Sequence, residues 1–335
     1  MDAHPGAVKR IVLLWLGRLG DVLVSTPVLS SVRRKYPDAR IQFVTGERGA
    51  AAARLIDDVD SVRILKRFYR PAANLSLAWE LAGRPCDLLI DLNTAYSRSA
   101  WFLARISRAK IKLAFSKRKG NSAYTHILEA AGEKEPMLER YGRLAAHLKA
   151  PYDPVPRIAL SEEKLRAGEK ILREIGATKE RMPVLIFPGN FKKFDNRWPE
   201  DKFAALAETL RENQDIFPFF LAGPGEEKEV EQINARLRRP LPVLRSLPIE
   251  TTAALLARTG LFVGNCTGTT HLAIAVGCPT FSFLGKYTQT VWMPKPPGKA
   301  PHFQVVSDSW ESCREIGVET ARAALDAALR ELLKK

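Results

Sequence analysis

Short apolar runs alternate with longer amphipathic stretches along this chain. The alternation stops once, at a proline cluster, and then restarts. Lys9–Leu16 (KRIVLLWL), Arg40–Thr45, Ser61–Leu65 and Cys86–Asp91 read as buried strands, with Lys110–Leu113 as a fifth. Between them Gly20–Tyr36, Asn74–Ala82 and Arg98–Ile106 carry helical periodicity. Continuous apolar strands separated by helices are expected to lie parallel and to be covered on both faces. Pro151–Pro156 (PYDPVP) holds three prolines in six residues, which fix φ and remove donors, so it reads as a linker. Beyond it the spacing predicts helices over Ser161–Ile175, Pro199–Glu212, Glu226–Leu237, Ile249–Arg258, Thr269–Val276 and Cys313–Leu333. Strands are expected at Pro183–Phe187, Phe217–Ala222, Leu261–Gly264 and Pro279–Phe283. The expectation is an α/β protein of two doubly wound parallel-sheet domains, residues 1–155 and 156–335, facing a cleft. The terminal helix is a candidate for packing back on the first domain. Ligands of such sheets bind beyond the carboxyl ends of the strands.

Charge sharpens the expectation. Lys and Arg number 52 against 37 Asp and Glu, for a net +15. Residues 1–155 hold 26 basic against 15 acidic side chains, +11, so the excess sits in the first half. Such a field favours an anionic partner, whether phosphorylated substrate, acidic lipid or nucleic acid. No aromatic–basic pattern of nucleic-acid recognition accompanies it, and nucleic acid is not expected. Hydrophobic residues at 46% and charged residues at 27% exclude wholesale disorder. The four cysteines form no CxxC pair, which argues against a disulfide scaffold or a zinc module. The apolar run Ile11–Leu16 falls far short of the ~20 residues of a membrane helix. The leader carries no signal-peptide core. A cytoplasmic protein is expected, with peripheral contact at the cytosolic face of the inner membrane as a further candidate. Arg67, Arg70, Lys117, Arg118 and Lys119 are the basic residues for that contact.

Four loops follow strands and open helices, where free N–H groups attract anions. The first is Gly17-Arg18-Leu19-Gly20-Asp21. Its glycines let the backbone approach a ligand, and Asp21 is placed either as a general base or as a charge that complements the helix dipole. The second, Gly264-Asn265-Cys266-Thr267-Gly268-Thr269-Thr270-His271, suits a diphosphate. His271 there is either a phosphate donor or a packed histidine. The third runs from Phe187-Pro188-Gly189-Asn190 through Lys192, Lys193, Asn196 and Arg197 to Trp198. Its cations could neutralise a leaving diphosphate, while Trp198 reads as a staple at the helix start. The fourth, Gly223-Pro224-Gly225-Glu226-Glu227, offers Glu226 to sugar hydroxyls or to the helix terminus. Arg18, Gly20 and Arg98 are candidates for acceptor contacts.

The segments GRLGDVLVSTPVLSSVRRKYPDARIQFVT, PGNFKKFDNRWPEDKFAAL, LAGPGEEKEV and VGNCTGTTHLAIAVGCPTFSFLG together resemble the heptosyltransferases of glycosyltransferase family 9. The resemblance spans nearly the whole chain. It implies a GT-B fold with the acceptor on the N-terminal domain and the nucleotide-sugar on the C-terminal one. It also implies transfer of heptose from ADP-heptose to the lipopolysaccharide inner core or a related phosphorylated glycolipid, with inversion and without a metal or other cofactor. Asp21 matches the family's catalytic base. Thr267, Gly268 and His271 match its diphosphate- and heptose-binding turn, and Glu226 falls near a glutamate that contacts the ribose. Gly189, Asn190, Lys192, Lys193, Asn196, Cys266 and Thr269 complete the expected donor site. Two positions depart from the pattern: Cys266 stands where an acidic residue is usual, and Asn196 where a lysine is usual, so the donor sugar is open. Two other classes remain beside this one, a non-transferring epimerase or hydrolase of the same fold and a basic module that binds anions or nucleic acid on charge alone. Asp58-Val59-Asp60 has the form of a metal-binding DxD motif, but no metal is expected there.

Overall fold

A computed structural model describes residues 8–66, 71–189, 197–293, 298 and 300–334. The chain divides into two compact units, Met1–Ile158 and Ala159–Lys335. The proline segment belongs to the first: the Tyr152 hydroxyl donates to the Leu138 carbonyl at 2.6 Å, and the Arg157 N–H to Thr26 Oγ1 at 3.1 Å.

The first unit holds β1 (Arg10–Trp15), β2 (Arg40–Gly46), β3 (Ser61–Leu65), β4 (Cys86–Asp91), β5 (Ala109–Phe115) and β6 (His126–Leu128). They form a parallel sheet in the order β3-β2-β1-β4-β5-β6. Its helices are α1 (Leu19–Val24), α2 (Thr26–Lys35), α3 (Ala50–Ala53), α4 (Leu75–Gly83), α5 (Arg98–Ile106) and α6 (Met137–His147). The single helix expected over Gly20–Tyr36 is two. Pro27 has no N–H for the carbonyl of Leu23, and the chain breaks at Ser25. The hydroxyls of Ser25 and Thr26 donate to the carbonyls of Val22 and Leu23 instead, at 2.7 and 2.8 Å. Leu77 and Leu81 of α4 and Leu103 of α5 pack with Val12, Leu14 and Leu89 on one face of the sheet.

The second unit repeats the plan. Its strands are β7 (Met182–Phe187), β8 (Ile216–Ala222), β9 (Val243–Arg245), β10 (Leu261–Asn265), β11 (Thr280–Leu284) and β12 (His302–Val306), in the order β12-β11-β10-β7-β8-β9. Its helices are α7 (Glu162–Glu174), α8 (Glu200–Glu212), α9 (Glu227–Asn234), α10 (Ile249–Leu256), α11 (Gly268–Ala275) and α12 (Val318–Leu333). Renumbered from its own first strand, this sheet has the same order as the first. Each therefore reverses direction once, between β1 and β4 and between β7 and β10, and opens a crevice there beyond the strand ends. The terminal helix begins at Val318 rather than Cys313, after Gly317. Cys313 and Ile316 instead enter the core with Leu325 and Leu329 of α12, so the helix's apolar stripe is committed to the second unit.

Candidate active site

The switch point of the first sheet holds Asp21. It is the third residue of α1, half-buried, and its Oδ2 accepts from the Arg18 N–H at 2.6 Å. Its own carbonyl accepts from Trp15 Nε1 at 2.8 Å, which ties the helix start to the end of β1. Position 17 must be glycine: a Cβ there would lie 2.5 Å from Asp21 Cβ and 2.8 Å from Oδ2. The glycine thus lets the carboxylate fold back over the turn. Tyr141 of α6 is fully buried, and its hydroxyl has no hydrogen-bond partner among the described residues. Burial first and the Asp21 charge second push that phenol well above its ordinary pKa.

Across the crevice, at the end of β4, lies a network that the sequence reading missed. Asp91 is fully buried. Its Oδ1 accepts from the Asn93 N–H and Nδ2 at 2.9 and 2.6 Å, and its Oδ2 accepts from the Tyr124 hydroxyl at 2.5 Å. Lys117 Nζ lies 3.2 Å from the same Oδ2 and 4.7 Å from the Tyr124 ring centre. Burial, then the Asp91 charge, raises the Tyr124 pKa strongly. Asn93 Oδ1 accepts from the Leu16 N–H at 3.3 Å, so the network also fixes the strand end that leads to Asp21. Lys117 is therefore a buried ion-pair partner and not a membrane-facing cation, while Arg118 and Lys119 are exposed. Arg67 and Arg70 lie outside the described residues. Arg98 is exposed at the first turn of α5, whose N-cap Ser97 accepts from the Ala100 N–H, and so stands at the same edge of the sheet. Arg18 is exposed and Gly20 half-buried in the α1 turn.

At the second switch point the turn after β10 carries Cys266, Thr267, Gly268, Thr269 and His271. Thr267 caps α11, its Oγ1 accepting from the Thr269 N–H at 3.2 Å. The buried Thr270 hydroxyl donates to the Asn265 carbonyl at 2.6 Å and accepts from the Thr267 N–H at 3.1 Å. Gly268 and Thr269 are half-buried in this first turn, where helix N–H groups form an anion site. His271 is buried, and burial pushes it down to about 4, so its imidazole is neutral near pH 7. It can donate one hydrogen bond but no charge. Its Nε2 lies 3.7 Å from Cys266 Sγ.

Glu226 lies between the ends of β7 and β8. Its Oε2 would be 2.8 Å from a Cβ at Gly189 and 2.6 Å from one at Gly223, so both glycines make room for the carboxylate. Asn190, Lys192, Lys193 and Asn196 lie outside the described residues. Arg197 is buried and pairs with Glu200 at 3.1 Å. Trp198 is core: it stacks on Phe283 at 4.0 Å, and its Nε1 donates to the Ile316 carbonyl at 2.9 Å.

Asn265 holds this frame together and was not singled out from the sequence. It is fully buried. Its Oδ1 accepts from the Trp198 N–H at 2.8 Å, and its Nδ2 donates to the carbonyls of Pro188 and Gly189 at 2.9 and 3.3 Å. Its position between a strand and a Thr-Gly turn was the available signal. Among the described residues no cluster of three His, Cys, Asp or Glu could hold a metal. Asp58 and Asp60 of the DxD triplet are engaged elsewhere. Asp58 accepts from the Ser30 hydroxyl at 2.5 Å, and Asp60 from the Ile41 N–H at 2.6 Å and Arg33 at 2.7 Å.

The family model described as glycosyltransferase family 9 (heptosyltransferase) matches residues 74–315. The lipopolysaccharide core heptosyltransferase OpsX of Haemophilus influenzae is 21% identical over 286 residues, 83% of this chain and 80% of the relative. A family 9 glycosyltransferase structure from Veillonella parvula superimposes with a TM-score of 0.82 at 20% identity, covering 98% of each chain. The ADP-heptose heptosyltransferase II of Escherichia coli gives 0.78 at 17% identity, covering 96% of this chain and 99% of that one.

Proposed function

The chain belongs to glycosyltransferase family 9, and from that premise we propose that it transfers heptose from ADP-heptose to an anionic glycolipid of the lipopolysaccharide inner-core class, with inversion and with Asp21 as general base. The observation that carries this reading is the placement of complementary chemistry at the two switch points. One crevice holds a carboxylate fixed at a strand end. The other holds the capped N-terminus of α11, and Glu226 lies between the ends of β7 and β8 in the same sheet.

In the proposed reaction the acceptor hydroxyl loses its proton to the Asp21 carboxylate as its oxygen bonds to the anomeric carbon. The bond from that carbon to the diphosphate oxygen breaks on the opposite face, and the electron pair leaves with ADP. The transition state has oxocarbenium character, and negative charge grows on the diphosphate. The first turn of α11 meets that charge with backbone N–H groups and the Thr267 and Thr269 hydroxyls. Neutral His271 contributes a hydrogen bond. Glu226 accepts from the ribose hydroxyls. Arg18 and Arg98 pair with acceptor phosphate or carboxylate. An acceptor of this class is carried on the cytosolic membrane face, where the +11 first half meets it. No helix among the described residues is long and apolar enough to cross a membrane.

Asp21→Asn is expected to lower transfer at least ~100-fold, the scale of general base catalysis, while ADP binding stays within about twofold. Transfer at the wild-type rate would overturn the assignment. Titration with ADP, UDP, GDP and ADP-heptose tests the donor. With a thiol at position 266, preference for another nucleotide, or no gain from the heptose, would redirect it. Release of free sugar or an altered sugar-nucleotide without acceptor would favour the hydrolase or epimerase class.

A further inference from the structure

We propose that the outer face of α4 and α5 is the surface with which this protein docks on an anionic lipid bilayer. The inference rests on the glycolipid-acceptor reading for its biological setting, and on the following geometry for the surface itself. Leu75 and Trp79 are one helical turn apart on α4 and are 55% and 75% exposed. Phe102 on α5 is 48% exposed. The two helices cover the same face of the first sheet through Leu77, Leu81, Ala100 and Leu103, so their outer faces are neighbours. No other pair of adjoining elements among the described residues exposes three large apolar side chains. Grouped apolar exposure of this kind marks an interaction site.

Charge selects the occupant. Arg98 and Arg105 are exposed on α5, one turn to either side of Phe102. Glu80 is the sole acid on the two helices. It is turned inward, pairing with Arg10 at 3.2 Å and Arg63 at 3.3 Å and accepting from Gln42 at 2.9 Å. The face therefore presents a tryptophan, a phenylalanine, a leucine and two arginines with no opposing acid. Aromatic rings with basic neighbours suit the headgroup region of an anionic bilayer.

The position fits the same purpose. Helices of a parallel sheet run against its strands, so the first turns of α4 and α5 lie at the edge where the strands end. Leu75 and Arg98 open those first turns, on the edge that also carries Asp21, and Trp79 and Phe102 follow one turn further along each helix. A bilayer met there would bring an acyl-anchored acceptor to the crevice without lifting it from the membrane.

The test is sedimentation of the full chain with phosphatidylglycerol-containing vesicles and with phosphatidylcholine vesicles. The expected result is binding to the anionic vesicles that weakens with salt and falls at least ~10-fold in the Trp79→Ala/Phe102→Ala double variant. Arg105→Glu should lower binding to anionic vesicles alone. Transfer to an acyl-free acceptor fragment, measured in parallel, should match wild type in both variants. Wild-type protein that ignores anionic vesicles, or a double variant that binds as well as wild type, overturns the proposal. So does a dimer that the double substitution dissolves without any lipid binding. Vesicle binding lost as expected, with no transfer by any form, would refute the glycosyl-transfer reading and leave the docking surface standing.

Discussion

Asn265→Ala should cost the second unit about 3 kcal/mol and loosen the donor site. The side chain is fully buried and makes three hydrogen bonds to backbone groups, the Trp198 N–H and the Pro188 and Gly189 carbonyls, and its Oδ1 also accepts a long one from the Cys313 thiol at 3.8 Å. Each neutral hydrogen bond contributes ~1 kcal/mol net, and a buried partner left unsatisfied costs about 1–3 kcal/mol. For a unit of this size ~1 kcal/mol corresponds to about 2–4 °C, so the melting midpoint should fall by ~6–12 °C. Because the bonds hold the loop carrying Gly189, against which Glu226 rests, ADP affinity should fall ~10-fold as well. Asn265→Asp separates the hydrogen-bond argument from simple volume. It keeps the Oδ1 acceptor and the shape, yet turns a carboxylate oxygen toward two carbonyls. It should therefore be no more stable than the alanine variant at pH 8, despite being nearly isosteric. The assays are thermal unfolding and ADP titration. Loss below ~1 kcal/mol for the alanine variant, or an aspartate variant equal to wild type, would refute the reasoning.

Breaking the buried Asp91–Lys117 pair with Lys117→Met should cost ~3 kcal/mol, the lower end for such pairs because Asn93 and Tyr124 still serve the carboxylate; urea unfolding would read it. Tyr141→Phe removes a buried hydroxyl without a partner among the described residues and should be neutral or stabilising by up to ~1 kcal/mol. A loss of transfer with full stability would instead assign that hydroxyl to the substrate. Gly189→Ala would put a Cβ 2.4 Å from the Phe187 ring and 2.8 Å from Glu226 Oε2, and should weaken ADP binding several-fold. His271 and His302 are both held down to about 4 by burial. Below pH ~6.5 the unfolded chain takes up protons that the folded one refuses. Stability is thus full above that pH and falls toward pH 4, by up to ~3 kcal/mol per histidine. His302→Gln should flatten the acid limb of a urea-unfolding series.

The strands that carry most of each sheet were legible because burial on both faces leaves an unbroken apolar run, as in Ile11–Trp15. The three that were missed, β6, β9 and β12, each close an edge of a sheet. His126–Leu128, Val243–Arg245 and His302–Val306 are short or only partly buried. Pairing with β5, β8 and β11 makes them strands. The α6 helix was also missed, although its buried Leu138, Tyr141 and Leu144 share one face. The basic cluster and the irregular segment before it hid the return of helical period. Apolar residues at Cys313 and Ile316 extended the terminal helix pattern too far, because core burial and helical phase leave the same mark in a sequence.

The sequence by itself determined the two-fold α/β plan and the loops where an anion could bind. Both follow from local rules: apolar run length, glycine and threonine at strand ends, and helix starts with unpaired N–H groups. Only the tertiary structure decided which polar groups those loops depend on. Asn265 reaches across 67 residues to the Trp198 N–H, and the Tyr124 hydroxyl across 33 to Asp91. Lys117 reads as a surface cation among Lys117, Arg118 and Lys119, yet folds inward onto a carboxylate. A buried polar group is defined by the partner that satisfies it. That partner is brought near by strand order, on which the residues flanking the group in sequence are silent.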